Sequence, residues 1–421
     1  MENINRYNFI IINVLFSMFP LSIILGNLFI NLNIVFLCFF ALIICREKII
    51  KFEINLLDKI ILIFFLYTFI TLIINFLGSY FDGQKFPDFI IYKTLLFSRY
   101  LAFYLVLRFL LTEKILILKW FSLACAFCVC FVSLDILIQF SFGKNLLGFE
   151  AIHARHLSGV FGEELVAGGY LQKFSLFVIF LPLILKQNIY KKISIQLLIF
   201  FFFSFAIILS GNRMPLILFI LSFFTYLFLD KNLRKYLITI LVISLLFFAL
   251  NLSLNKKFKL ISAVFLVNAK TLATSFFSED VKKLPMGIWY NPYVTEFTCF
   301  KIVWKKNLYF GGGIKSYRAT KGCTTHPHNY YFEILTELGL VGLILIMSFL
   351  LVFIKKIFKK KNNLFNLDLN FLNAEYMPFF LVLFIEFFPV RTSGSFFSTG
   401  NASIIFLMLA ITVSIISQRK T

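Results

Sequence analysis

Charge is scarce in this chain. Asp, Glu, Lys and Arg make up 14% of its 421 residues, while 60% are hydrophobic and 60 are Phe. A soluble core does not need that much apolar residue. Many runs reach or approach the ~20 apolar residues that cross a bilayer. The expected fold class is therefore an all-α integral membrane protein, read as one polytopic domain over 1–421. The motifs of several chemistries are also missing. There is no Walker loop, no dinucleotide glycine fingerprint after a strand and no HExxH, which argues against nucleotide hydrolysis and a tightly held metal. His326-x-His328 with Glu333 offers two ligands two apart and no clear third, so neither metal nor cofactor is expected. No tandem repeat and no low-complexity linker interrupts the chain. The apolar stretch near 9–25 has no small-residue cleavage site and is followed at once by another span, so it reads as a retained first helix.

What charge there is lies unevenly. The formal net charge is +21, yet most basic residues fall in short connectors between apolar runs, which is a membrane pattern and argues against a nucleic-acid partner. About twelve spans are expected, near 9–25, 28–45, 56–77, 94–111, 116–140, 165–186, 193–209, 213–229, 236–254, 330–354, 377–390 and 401–417. Alternate connectors carry Arg46 and Lys48, Lys114, Lys191 and Lys192, Arg234 and Lys235, Lys355 and Lys356, and Arg419 and Lys420. The positive-inside rule puts these on one side and both termini in the cytoplasm. The opposite side carries 78–93, 141–164, the turn at 210–213, the long loop 255–329, and 390–400. Within the long loop the start, NKKFKLISAVFLVNAKTLATSFF, has the composition of an amphipathic surface helix. A second helix is expected from Pro292 to Lys306, ended by Asn307 and the glycines at 311–313.

Seven cysteines are present. Cys38, Cys125, Cys128 and Cys130 sit in apolar runs, where packing explains them better than redox or zinc chemistry. Cys299 and Cys323 fall in the long polar loop, and a disulfide between them is open if that loop is extracytoplasmic.

Only four histidines occur, and two stand in His326-Pro327-His328-Asn329, where the loop ends and an apolar run begins. Pro327 suits the first turn of the helix that follows. Asn329, Glu333 and Glu337 are spaced by four and form a polar stripe, to be met either by a neighbouring Arg or Tyr or by a functional role. A histidine at the outer face titrates near neutrality and is suited to general-base work, whereas its plain alternative is a capping role. Arg213 is the lone basic residue of the turn Ser210-Gly211-Asn212-Arg213-Met214-Pro215. At a helix start its fork matches phosphate oxygens, unless it only snorkels to the interface. Arg155 between His153 and His156, Arg318 after Gly311-Gly312-Gly313, and Arg391 after Pro389-Val390 are further anion-binding candidates. The three glycines either let backbone approach a phosphate or simply make a turn. Arg99, inside a span, is expected to pair internally. The candidates thus gather at one face, which favours an enzyme over a transporter with a central polar pathway or a structural scaffold.

These residues resemble the O-antigen ligase and O-antigen polymerase family of bacterial glycan-assembly proteins. The likeness is strongest over 292–345, where Trp304-Lys305-Lys306-Asn307, Gly311-Gly312-Gly313, His326-Pro327-His328-Asn329-Tyr330 and Glu337-Leu338-Gly339-Leu340-Val341-Gly342 follow in order. Ser210-Gly211-Asn212-Arg213 and Ser393-Gly394-Ser395-Phe396-Phe397 resemble two further family motifs. Asn212 departs from the commoner Ser, with little consequence expected. The resemblance implies a GT-C-like helical membrane fold in the bacterial inner membrane with a large periplasmic loop. It also implies transfer of a glycan from undecaprenyl diphosphate without metal or ATP. The acceptor would be a lipid A–core sugar for a ligase, or a lipid-linked glycan for a polymerase. His328 would be the base and Arg213 the diphosphate holder. Arg318 would be a second loop arginine, and Arg155, Arg391, His326, Asn329 and Glu337 are further binding candidates by their places in the chain.

Overall fold

The computed structural model describes residues 5–50, 52–151, 156–184, 193–229, 292–320, 322–358, 376–391 and 394–418, with scattered positions between 242 and 263. Among these, regular structure is helical, and extended pairing is limited to a bridge between Lys144 and Glu150. In chain order the helices are α1 (Arg6–Ser17), α2 (Phe19–Leu25), α3 (Asn27–Ile50), α4 (Leu56–Phe81), α5 (Asp88–Phe97), α6 (Arg99–Thr112), α7 (Leu118–Phe142), α8 (Ala167–Ile184), α9 (Ile193–Leu209), α10 (Arg213–Leu229), α11 (Pro292–Lys306), α12 (Tyr330–Phe358), α13 (Met377–Glu386) and α14 (Thr399–Ser417).

Six stretches among the described residues are long and apolar enough to cross a membrane: Asn27–Cys45, Leu56–Phe81, Asp88–Thr112, Leu118–Phe142, Tyr330–Ile357 and Thr399–Ser417. The pair α1 and α2, bent by 48°, makes a seventh if it is one span. Helices α8, α9, α10 and α13 are apolar but shorter. About half of the dozen expected spans therefore meet this test. The expected span at 236–254, the amphipathic stretch that begins the long loop, and Arg155 with His153 lie largely or wholly outside the described residues. The outer side of α4 shows why a membrane suits these helices. Ile63, Leu66, Ile70 and Ile73 are at least half exposed on it, where a water-facing helix would carry polar groups.

The chain forms two compact units. The first comprises Met1–Asn33, Leu116–Ala269 and Asn363–Glu386. Its core stacks Phe121 of α7, Phe177 of α8 and Phe379 of α13 at centroid distances of 4.9–5.8 Å. Two buried polar contacts tie its elements together. Asn13 accepts from the Ile117 amide at 2.7 Å, and Lys173 of α8 pairs with Glu386 of α13 at 3.0 Å.

The second unit comprises Ile34–Ile115, Lys270–Asn362 and Phe387–Thr421. Asp58 belongs to a capping box at the start of α4. It also takes two nitrogens of Arg108 at 2.9 and 3.1 Å and the Tyr104 hydroxyl at 2.6 Å. Arg108 reaches Ser414 of α14 at 2.6 Å, so one buried ion ties α4, α6 and α14. Arg99 is held internally, as expected, by the Leu96 carbonyl at 2.6 Å and the Tyr100 hydroxyl at 2.8 Å.

Helix α12 differs from the unbroken apolar helix the sequence suggests. Gly339 stands at φ 69°, ψ −168° and splits it. A break inside a membrane helix strands peptide groups that lipid cannot satisfy. Here the loop after α11 satisfies them. The amides of Gly312 and Gly313 donate to the carbonyls of Thr336 and Glu337 at 3.0 and 2.8 Å. Those of Leu340 and Val341 donate to Leu308 and Tyr309 at 3.0 and 3.2 Å. The Tyr67 hydroxyl donates to the Leu338 carbonyl at 2.9 Å. Glycine is required on both sides, because a Cβ on Gly311 would strike the Glu337 peptide and one on Gly339 would strike the Tyr309 carbonyl. Gly339→Ala is expected to cost on the order of 1–3 kcal/mol from backbone conformation alone, before the collision is counted. Thermal unfolding in detergent checks this, and an unchanged midpoint would contradict it.

Candidate active site

The site is built where α12 begins. Asn329, not Pro327, governs that start. Its Oδ1 accepts from the amides of Tyr331 and Phe332 at 2.9 and 3.2 Å. Its Nδ2 donates to the carbonyls of Pro389 and Arg391 at 2.8 and 3.0 Å. Pro327 lies two residues before this cap and outside the helix, since only a side chain with an acceptor can close the free first-turn amides. Arg391 is buried, with its guanidinium 4.5 Å from the centre of the Tyr330 ring. Asn329 therefore fastens the Arg391 segment to the helix that follows His328.

One and two turns in, Glu333 and Glu337 are fully buried and share the face of α12 that meets Lys315. Lys315 is a non-glycine residue at φ 67°. From that conformation its amide donates to Glu337 at 2.7 Å and its ammonium to Glu333 at 2.9 Å. The Ser395 hydroxyl and the Phe396 amide complete the shell of Glu333. Glu337 Oε1 has no hydrogen-bond partner. The cation that satisfies the stripe is thus a lysine of the glycine loop, where the sequence pointed to Arg or Tyr. The glycine amides at 312 and 313 are spent on α12 carbonyls, which removes the phosphate-approach reading of the three glycines.

His328 Nε2 lies 3.1 Å from Glu296 Oε1 on α11, with 39% of the histidine side chain and 11% of the glutamate exposed. Glu296 stands one turn before Cys299, and Cys299 is disulfide-bonded to Cys323, with their Cα atoms 5.8 Å apart. The bond, left open by the sequence, holds α11 against the segment that leads into His326 and His328. Tyr317 packs beside Cys299, Val303 and Cys323 and fills the space beneath. The two imidazoles meet edge to face at 4.6 Å, and Thr325 Oγ1 is 3.0 Å from His326 Nδ1. Burial pushes Glu296 up to about 7, against a hydrogen bond from the His328 backbone. Burial lowers His328 from its ordinary value, opposed by Glu333. Burial, then the charges of His328, Lys315 and Arg318, lower His326 to about 4. Near neutral pH His326 is uncharged.

In the second unit the structure thus gathers His326, His328, Asn329, Arg391, Glu337 and the exposed Arg318. Arg213 belongs to the first unit, at the start of α10. Asn212 beside it is fully engaged. Its Oδ1 accepts from the Gly168 amide at 3.1 Å and its Nδ2 donates to the Leu165 carbonyl at 3.1 Å. The Asn that departs from the commoner Ser clamps this turn to the start of α8 through both ends of its amide, which a serine hydroxyl cannot reproduce alone.

Residues 198–347 match the family model described as O-antigen ligase. Over this part of its length the chain is similar to that family. Within the matched residues lie Arg213, Glu296, Lys315, His328, Glu333 and Glu337, so the family's region contains the histidine–glutamate pair, the lysine node and the broken helix. No curated protein matches the chain. Sequence reasoning passed over Glu296 and Lys315. The available signal was indirect: two acids four apart in an apolar helix demand a cation nearby, and Glu296 lies one turn from a loop cysteine. Lys315→Met strands the Glu333 charge and is expected to cost about 3–5 kcal/mol. Adding Glu333→Leu removes the stranded ion and is expected to recover most of that stability. Detergent melting of the two variants compares them, and equal losses would contradict the pairing.

Proposed function

We propose that this chain is an O-antigen ligase-type glycosyltransferase that moves a glycan from undecaprenyl diphosphate to a sugar hydroxyl of lipid A–core. The reading is carried by the half-exposed His328 next to Glu296 at the head of α12, inside the family-matched region. In the proposed step His328 takes the proton of the acceptor hydroxyl. The freed oxygen attacks the anomeric carbon as its bond to the diphosphate breaks, and undecaprenyl diphosphate leaves with the bonding pair. Arg213 keeps its proposed role as diphosphate ligand, for which a rigid fork at a helix start is suited. Arg318, Arg155, Arg391 and His326 are proposed to assist binding. Asn329 and Glu337 are proposed to act there by holding the site's frame. The activated lipid donor supplies the energy, so no metal, nucleotide or cofactor is required.

The proposed setting is the bacterial inner membrane, with the site facing the periplasm and both termini in the cytoplasm. The four shorter apolar helices and the stretch 236–254, added to the seven, would give twelve spans, consistent with an even number and termini on one side. The Cys299–Cys323 bond supports an oxidising compartment for the loop that carries the site. In intact cells both thiols are expected to resist alkylation until reductant is added, and labelling without reductant would contradict the periplasmic placement.

Complementation of ligase-null and polymerase-null strains, read on a lipopolysaccharide gel, tests the function. Restored long chains on core in the ligase-null strain support it. Restoration only in the polymerase-null strain identifies the polymerase of the same family instead. His328→Ala is expected to lower transfer by about 10²–10⁴-fold. Arg213→Ala is expected to abolish glycan attachment while the protein still inserts. Normal ladders from both variants would sink the site assignment.

A further inference from the structure

We infer that Glu296 is a positioning residue for His328: its carboxylate accepts the imidazole Nε2–H and so leaves the Nδ1 lone pair as the atom that takes the acceptor proton. The inference rests on the reading of His328 as base. Four observations carry it. The Glu296 carboxylate lies 3.1 Å from Nε2. The Cys299–Cys323 bond fixes the helix that bears Glu296 to the segment that bears His328. Asn329 fixes the other side of His328 by capping α12 and gripping the Pro389 and Arg391 carbonyls. Of the two partners, Glu296 is the more enclosed and His328 the more open, which is the arrangement of an orienting acid behind an accessible imidazole. A ring with a fixed partner and fixed flanking backbone loses little freedom when it meets its substrate.

Proton balance gives the pair a distinct pH response. With Glu296 ionised, Nε2–H points to the carboxylate and Nδ1 is free. In the step, Nδ1 takes the proton of the acceptor hydroxyl, and the resulting imidazolium is stabilised by the carboxylate. If the pair takes up one proton before substrate binds, either the imidazole is already cationic or Glu296 donates to Nε2 and Nδ1 carries the hydrogen. Both forms block the base. Among the described residues, the other charged or titratable groups around the pair are His326 from the same segment, Lys315, Tyr317 and Arg318 from the loop and turn after α11, and Glu333 from α12. Lys315 and Glu333 neutralise one another, and His326 is neutral over this range. Transfer is therefore expected to rise with pH through a limb near 7, where Glu296 ionises.

The test uses the full-length protein in membrane vesicles with undecaprenyl-diphosphate-linked glycan and lipid A–core from a ligase-null strain. Glu296→Gln is expected to lower the plateau rate by about 10-fold or more and to move the acid limb down by about one pH unit or more. Glu296→Asp keeps the charge and is expected to retain the limb and recover part of the rate. A second readout needs neither donor nor acceptor: diethyl pyrocarbonate acylates neutral imidazole, and mass spectrometry locates it. His328 in Glu296→Gln is expected to label at lower pH than in the unaltered protein. An unchanged limb together with unchanged His328 labelling overturns the inference, whatever the rate. If His328→Ala transfers normally while the labelling shift is present, the base assignment fails and the pairing stands.

Discussion

A helix in hydrocarbon cannot be broken without a replacement partner for every peptide group set free, and that constraint organises the second unit. The break at Gly339 occurs where the loop 308–313 lies against α12 and supplies donors and acceptors in register. The same approach admits no Cβ at Gly311 or Gly339. Once the loop is seated, Lys315 follows two residues later in a left-handed conformation and its two nitrogens reach the two buried acids. Glu333 in turn grips Ser395 and Phe396. The loop that repairs the helix thus also neutralises it.

The catalytic proposal stands on this frame. Above the buried node the chain turns through Arg318, crosses the disulfide and arrives at His326 and His328 just before the Asn329 cap. The node is buried, while the histidine is half open. That division fits a site in which the lower layer holds geometry and the upper layer meets lipid-borne substrates. An exposed acid–imidazole pair without a fixed floor would spend its strength on ordering itself.

Much of this was legible in the sequence. Pro292 and Lys306 bound the loop helix as expected, because the glycines beyond Asn307 end it. The histidine corner, the one-sided spacing of Glu333 and Glu337, and the internal pairing of Arg99 also follow from pattern. The break at Gly339 does not, because glycine is common within membrane helices and only the approach of another backbone turns it into a hinge. No motif in the sequence marks Glu296, and only the pairing of Cys299 with Cys323 sets its helix beside His328. Asn212 looked like a neutral exchange until the Gly168 amide and the Leu165 carbonyl were seen at its two ends. In each case the missing information was a contact between segments far apart in the chain.

The most direct measurement is a transfer assay with purified protein in detergent, given undecaprenyl-diphosphate-linked glycan and lipid A–core, with chelator present and no nucleotide. The account predicts that glycan appears on lipid A–core with release of undecaprenyl diphosphate, and that His328→Ala protein folded to the same melting point gives almost none. Absence of transfer by the unaltered protein, or undiminished transfer by the variant, would contradict it.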